Sequence, residues 1–156
     1  MSVLDATTTD FEPFIFGLVF LVIGVLAIVS YVLSSLTYYT MAKNEGMDKA
    51  WLAWIPYANM YVVGELLNTK LKGDGGLKLL IGYIVLSILS SIPLIGVLFS
   101  IVLLVATGVM WYWLFQKYSD QPGLHTTLSF VLMITIIGAL YSVIALFVMR
   151  NNKARY

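Results

Sequence analysis

The chain has 156 residues, of which 60% are apolar and 11% charged. A soluble domain carries about 25% charged residues, so this balance excludes a water-soluble fold, disorder, and nucleic-acid binding through a basic surface. Nine basic against eight acidic residues leave a net charge of +1, and the absence of Cys excludes disulfides and thiolate chemistry. The composition is that of an all-α polytopic membrane bundle.

The first charge-free stretch runs from Phe14 to Ala42. As a helix it reaches about 43 Å, enough to cross a hydrocarbon core of about 30 Å. A signal peptide is the competing reading. The first twelve residues hold Asp5, Asp10 and Glu12 without Lys or Arg, so a retained span is expected.

Ala50–Leu67 is rich in Trp and Tyr and is divided by Pro56. The part after Pro56 reaches only about 17 Å as a helix, too short to span. The expectation is a Pro-kinked helix over 50–67, interfacial or re-entrant, capped by Asp48.

Leu79 to Gln116 is also free of charge and would run about 57 Å as one helix. It must fold back at Ser90–Gly96, where Pro93 suits a first helical position. The expected arms are 77–92 and 93–116. After the breaker Asp120-Gln121-Pro122-Gly123, a last span is expected over about 124–149.

This reading makes residues 1–156 a single membrane domain with four transmembrane helices. With the N-terminus outside, the inner loops hold Lys43, Lys49, Lys70, Lys72, Lys78 and Lys117, and the outside holds Arg150, Lys153 and Arg155. Both termini are then expected outside, with the basic C-tail as the evidence against that arrangement. Counting Ala50–Leu67 as a fifth span places the C-tail inside and makes the charge balance nearly uninformative.

A weak internal echo links Tyr39-x3-Lys43-x2-Gly46 to Trp113-x3-Lys117 with Gly123 following. Snorkelling lysines and capping glycines at ordinary inner helix ends give the same pattern.

The run from Tyr39 to Tyr61 contains Lys43, Gly46, Ala50-Trp51, Ile55-Pro56, Asn59 and Tyr61. This K-x2-G-x3-AW-x3-IP-x2-N-x-Y pattern resembles uncharacterised small multi-pass membrane proteins of mostly Gram-positive bacteria. The resemblance covers about residues 37–67 and extends loosely to 118. It implies a bacterial cytoplasmic-membrane location and brings no activity.

Intramembrane ionisable groups are the first functional candidates in such a protein. One His without Cys makes no convincing zinc site, and no nucleophile, metalloprotease, phosphate-loop or paired-carboxylate pattern occurs. Neither an enzyme nor a cofactor or metal site is expected. Glu65, the one acid in an apolar run, reads either as a partly buried functional carboxylate or as a hydrated interfacial acid. Its carboxylate is expected to face the Lys70–Lys78 loop.

His125 is a pH sensor or a solvated first-turn residue. Asn59 holds a headgroup or satisfies carbonyls freed by Pro56. Trp51, Trp54, Tyr57 and Tyr61, with Trp111, Tyr112 and Trp113 further on, are belt anchors or part of a ligand pocket. Gly96, Ser100, Gly138, Ser142 and Ala145 read as close helix packing within the chain or between copies.

Three functions stay open. The first is a non-catalytic accessory, regulatory or immunity-type partner of another membrane component. The second is a small oligomeric transporter or channel lined by Ser30, Ser34, Thr37 and Tyr38. The third is a lipid- or headgroup-binding protein with its site at Trp51–Tyr61. The expected partners are the bilayer and a membrane protein or a second copy, with no nucleic acid.

Overall fold

The computed structural model describes residues 3–132 and 136–155, with side chains for 13–129 and 140–155. The described residues are all helical, without a strand. They form α1 (Val3–Asn44), a 3-10 turn (Ala50–Trp54), α2 (Asn59–Leu66), α3 (Asn68–Leu71), α4 (Gly75–Ser90), α5 (Gly96–Tyr118), α6 (Pro122–Leu132) and α7 (Ile136–Met149). Residues 1–32 make one compact unit and residues 33–156 another.

The first unit is described as the N-terminal part of α1. From Phe14 to Val29 it presents one large apolar side chain after another, Phe14, Phe16, Phe20 and Ile28 each more than 60% exposed. An exposed apolar surface of this extent marks a protein or membrane contact. Among the described residues, two helices are long and apolar enough to cross a membrane, Pro13–Asn44 and Gly96–Tyr118.

The second unit has its core where the end of α1 meets the 3-10 turn, α2, α5 and α7. Met41, Ala42, Ala53, Val63, Leu66, Leu114 and Phe115 are all inaccessible to solvent there. Ala50–Leu67 therefore helps build the core through one face, while Trp51, Trp54 and Tyr57 stay exposed. It is not one kinked helix. The chain breaks at Ile55–Ala58, where Tyr57 takes a left-handed φ of 65° and the Asn59 N–H bonds to the Ile55 carbonyl. The expected Asp48 cap is also corrected. Lys49 is the N-terminal flanking residue of the 3-10 turn, no side chain caps it, and Asp48 is exposed.

The reversal between α4 and α5 falls at Ser91–Ile95, within the stretch the length argument selects. The helix resumes at Gly96, not at Pro93. Pro93 lies in the turn, its carbonyl accepts from the Ile95 N–H, and Leu94 adopts φ 73°. A Cβ at Gly96 would come within 2.4 Å of the Ser90 carbonyl oxygen, so only glycine lets the arms meet this closely.

The largest departure concerns 124–149, read from its charge-free length as one span. Its described parts are two helices packed on each other, and residues 133–135 lie outside the described residues. A continuous helix would hold His125 and Tyr141 about 24 Å apart. Their side chains instead meet at 2.7 Å. The chain thus reverses between these residues and brings the C-tail back to the end of α5, where the Arg155 N–H bonds to the Lys117 carbonyl and Asn152 donates to the Tyr118 carbonyl.

Candidate functional site

The ends of α1, α2, α5 and α7 gather with the start of α4 into one polar region of the second unit. Its centre is Lys117, in the last turn of α5 and 3% exposed. An ammonium has three N–H donors, and a buried one must engage them or incur a desolvation penalty of several kcal/mol. Lys117 Nζ lies 2.8 Å from each oxygen of the Glu45 carboxylate and donates to the Leu66 carbonyl. Tyr118 adds its hydroxyl to the same carboxylate. Asn44, beside Glu45, donates to the Arg150 carbonyl at 3.1 Å. One ion pair thus joins the exit of α1 to the ends of α2 and α5, and its neighbours hold the C-tail.

Sequence reading missed this pair. It treated Lys43 and Lys117 as equivalent helix exits, but Lys43 is exposed, with its ammonium 6.0 Å from the Tyr39 ring centre. The available signal was Glu45 itself, an acid directly after the first span, facing a chain whose long apolar stretch ends in a single lysine.

A second constellation forms where α2 crosses the start of α4. A Cβ on Gly64 would stand 2.2 Å from the Gly75 carbonyl oxygen, and one on Gly75 would stand 2.3 Å from the Gly64 carbonyl oxygen. The glycines allow a backbone-to-backbone approach, and that approach sets the capping. Lys72, Gly73 and Asp74 lead into α4 with successive left-handed φ values of 55°, 81° and 51°. Asp74 flanks the helix without capping it. Asn68 Oδ1 instead accepts from the Gly75 N–H at 3.0 Å, and Glu65 Oε1 accepts from the Gly76 N–H at 3.2 Å. Lys78 donates back to the Leu71 and Gly73 carbonyls at 2.9 and 2.7 Å. Glu65 therefore faces the 70–78 segment through a helix N-terminus, where its charge also complements the helix dipole.

Among the described residues, two clefts of this unit bear on the site. One, of about 300 Å³, is lined by Asp48, Lys49, Tyr61 and Glu65 with Val62 and the Gly46-Met47 turn. Lys49 Nζ sits 5.9 Å from the Tyr61 ring centre. Glu65 and Tyr61 are thus brought together, whereas Trp51, Trp54, Tyr57 and Asn59 are not among the walls. Tyr57 lies instead beside Tyr83, ring centres 6.1 Å apart. The other cleft, of about 400 Å³, is built around His125 and Tyr141. The His125 ring stacks on Phe115 at 5.5 Å and on Tyr141 at 6.1 Å.

Two of the residues considered as channel lining lie buried in the second unit. Thr37 is buried and donates to the Leu33 carbonyl at 2.7 Å, and Tyr38 is buried. Trp111 and Trp113 pack against the core. Of the small-residue positions, Ser142 and Ala145 are buried on α7, and the surroundings of Gly138 lie outside the described residues. Among the described residues no group of three or more His, Asp and Glu is placed to hold a metal ion. Compared with protein-family models, curated proteins and solved structures, the chain matches none.

Proposed function

We propose that the chain is a multi-pass protein of the bacterial cytoplasmic membrane that acts through contacts, as an accessory, regulatory or immunity-type partner of another membrane component. The observation that carries this reading is the exposed stretch of α1. The 18-residue apolar window in Pro13–Asn44 has no buried residue. Along it, a Cβ on Gly17 or Gly24 would meet nothing within 4 Å. Glycines seven residues apart lie near one face of a helix and let another membrane helix approach closely.

The polar residues support the same reading, because their bonds hold the fold together. Lys117, Glu45, Glu65 and Asn68 all join separate elements.

The topology that fits this reading replaces four spans with three: α1, α4 and α5 cross, and α6 and α7 form a re-entrant pair that returns the C-tail to its side of origin. At about 24 Å, α4 is short for a crossing, and its turn at Ser91–Ile95 sits shallow on the far side. All nine Lys and Arg then lie on the inner side, on segments at the ends of α1, α3, α5 and α7 or the start of α4. The N-terminal acids Asp5, Asp10 and Glu12 lie outside. This satisfies the positive-inside rule without exception and removes the objection raised by the basic C-tail.

The test is affinity purification of the tagged full chain in mild detergent, wild type against Gly24→Leu. Discrete membrane subunits that co-purify with the wild type and are lost with Gly24→Leu support the reading. A closed homo-oligomer around a continuous polar pore would assign the protein to transport instead.

A further inference from the structure

We propose that the cleft between α6 and α7 holds the headgroup and upper acyl methylenes of a phospholipid bearing a primary ammonium. This rests on the topology above, which sets the Lys117–Arg155 end at the level of the inner headgroups.

The lining of the cleft is mixed in chemistry. Ile144 and Val148, a helical turn apart on α7, are 52% and 70% exposed and give the lining an apolar track. The polar part of the lining includes Asp120 and Gln121, from the short link between α5 and α6. The His125–Tyr141 bond at 2.7 Å joins α6 to α7 within the same lining, and His125 stacks on Phe115. The cleft, about 400 Å³, falls in the size range of small-ligand sites. An apolar track beside a polar wall fits an amphiphile rather than a polar metabolite.

The charges choose the headgroup. Asp120 supplies the carboxylate in the wall, and its side chain is 92% exposed. It pairs with the Arg155 guanidinium, which is itself 43% exposed. A carboxylate has about four acceptor sites and a guanidinium five N–H donors, so both retain capacity for a ligand. An acid next to a base matches a phosphate next to an ammonium, with the phosphate on Arg155 and the ammonium N–H groups on Asp120. A quaternary ammonium offers Asp120 no N–H. A glycerol headgroup offers it no cation.

The experiment uses the full chain reconstituted in nanodiscs of equal parts phosphatidylethanolamine, phosphatidylcholine and phosphatidylglycerol. After extraction into mild detergent, retained lipids are counted by native mass spectrometry. Phosphatidylethanolamine is expected several-fold above the other two. Asp120→Asn should lower it to the phosphatidylcholine level, whereas Arg155→Gln and the cleft-filling Ile144→Trp should lower all three. Circular dichroism and a melting curve verify that each variant is folded. Equal retention of the three lipids by the wild type, or undiminished selectivity in Asp120→Asn, overturns the site. So does displacement by soluble glycerophosphoethanolamine, which would assign the cleft to a free phosphoryl-ammonium compound. Impermeant labelling of Cys placed at Asp74 and at Asn151 is read on the same protein in sealed vesicles. Same-side labelling without lipid selectivity rejects the site and leaves the topology standing, and opposite-side labelling rejects the topology.

Discussion

Lys117 and Glu45 are 72 residues apart in sequence and 2.8 Å apart in space, with the lysine almost wholly buried. The pair closes the polar end of the second unit, because Glu45 follows α1, Lys117 ends α5, and the Leu66 carbonyl beside them ends α2. Removing one partner leaves a buried charge uncompensated, at about 3–5 kcal/mol. Lys117→Met alone and Glu45→Gln alone should each lower the detergent melting temperature. The double variant should recover part of the loss, because removing both charges together leaves neither one buried without its partner. Melting curves for the four proteins of the cycle check this, and additive losses would show that the two charges do not stabilise each other.

The crossing of α2 and α4 predicts a contrast among glycines. Gly64→Ala and Gly75→Ala each drive a methyl into backbone, which cannot yield as a flexible side chain would. Overpacking of this kind typically costs about 1–3 kcal/mol. Gly17→Ala meets open space and should be neutral or raise stability by up to about 1 kcal/mol through helix propensity. Melting temperatures for the three variants in one detergent separate the cases.

Glu65 has a structural assignment that sharpens its test. Its Oε1 accepts the Gly76 N–H, so Glu65→Gln retains an acceptor and loses only the charge at the helix N-terminus. The expected loss is about 0.3–1 kcal/mol. Glu65→Ala removes the cap and should lose about 0.5–2 kcal/mol, the range for helix caps. Equal stability of all three proteins would mean that the contact does not stabilise α4. Loss of a co-purifying partner in Glu65→Gln at unchanged stability would give the carboxylate a role outside the fold.

These residues also mark what could be read from the sequence. The apolar stretch of α1 and the α4–α5 reversal follow from charge-free length and one proline, because the bilayer fixes how far a helix can run. The break near Pro56 follows from the ring's missing N–H. The Lys117–Glu45 pair does not follow, because pairing depends on which helix ends meet, and local spacing is silent on that. Nor does the fold-back of α6 onto α7. Leu124–Met149 has no charge and no proline, so its length alone allowed a crossing, and the return shows only in tertiary contacts such as His125–Tyr141. The capping of α4 was hidden for a similar reason, since Asn68 and Glu65 lie before a left-handed link and not at Asp74, the residue that flanks the helix.

The fold-back yields the most decisive prediction, because it moves the C-tail across the membrane relative to a four-span chain. The Arg150 carbonyl is held by Asn44 and the Arg155 N–H is bonded to the Lys117 carbonyl, so the tail shares the side of the α1 and α5 exits. The native chain has no Cys, and single cysteines can therefore report position without background. Cys at Asp74 and Cys at Asn151, both exposed, should be protected together from an impermeant maleimide in right-side-out vesicles and labelled together once the membrane is opened. Cys at Ser2 should label in intact vesicles. Four spans predict instead that positions 2 and 151 label together while 74 is protected. Five predict that 74 labels together with 2, while 151 is protected. The three labelling patterns differ from one another, so this small set of variants decides among the topologies. Protection of 74 and 151 alongside labelling of 2 is the result required of three crossings with a re-entrant α6–α7 pair.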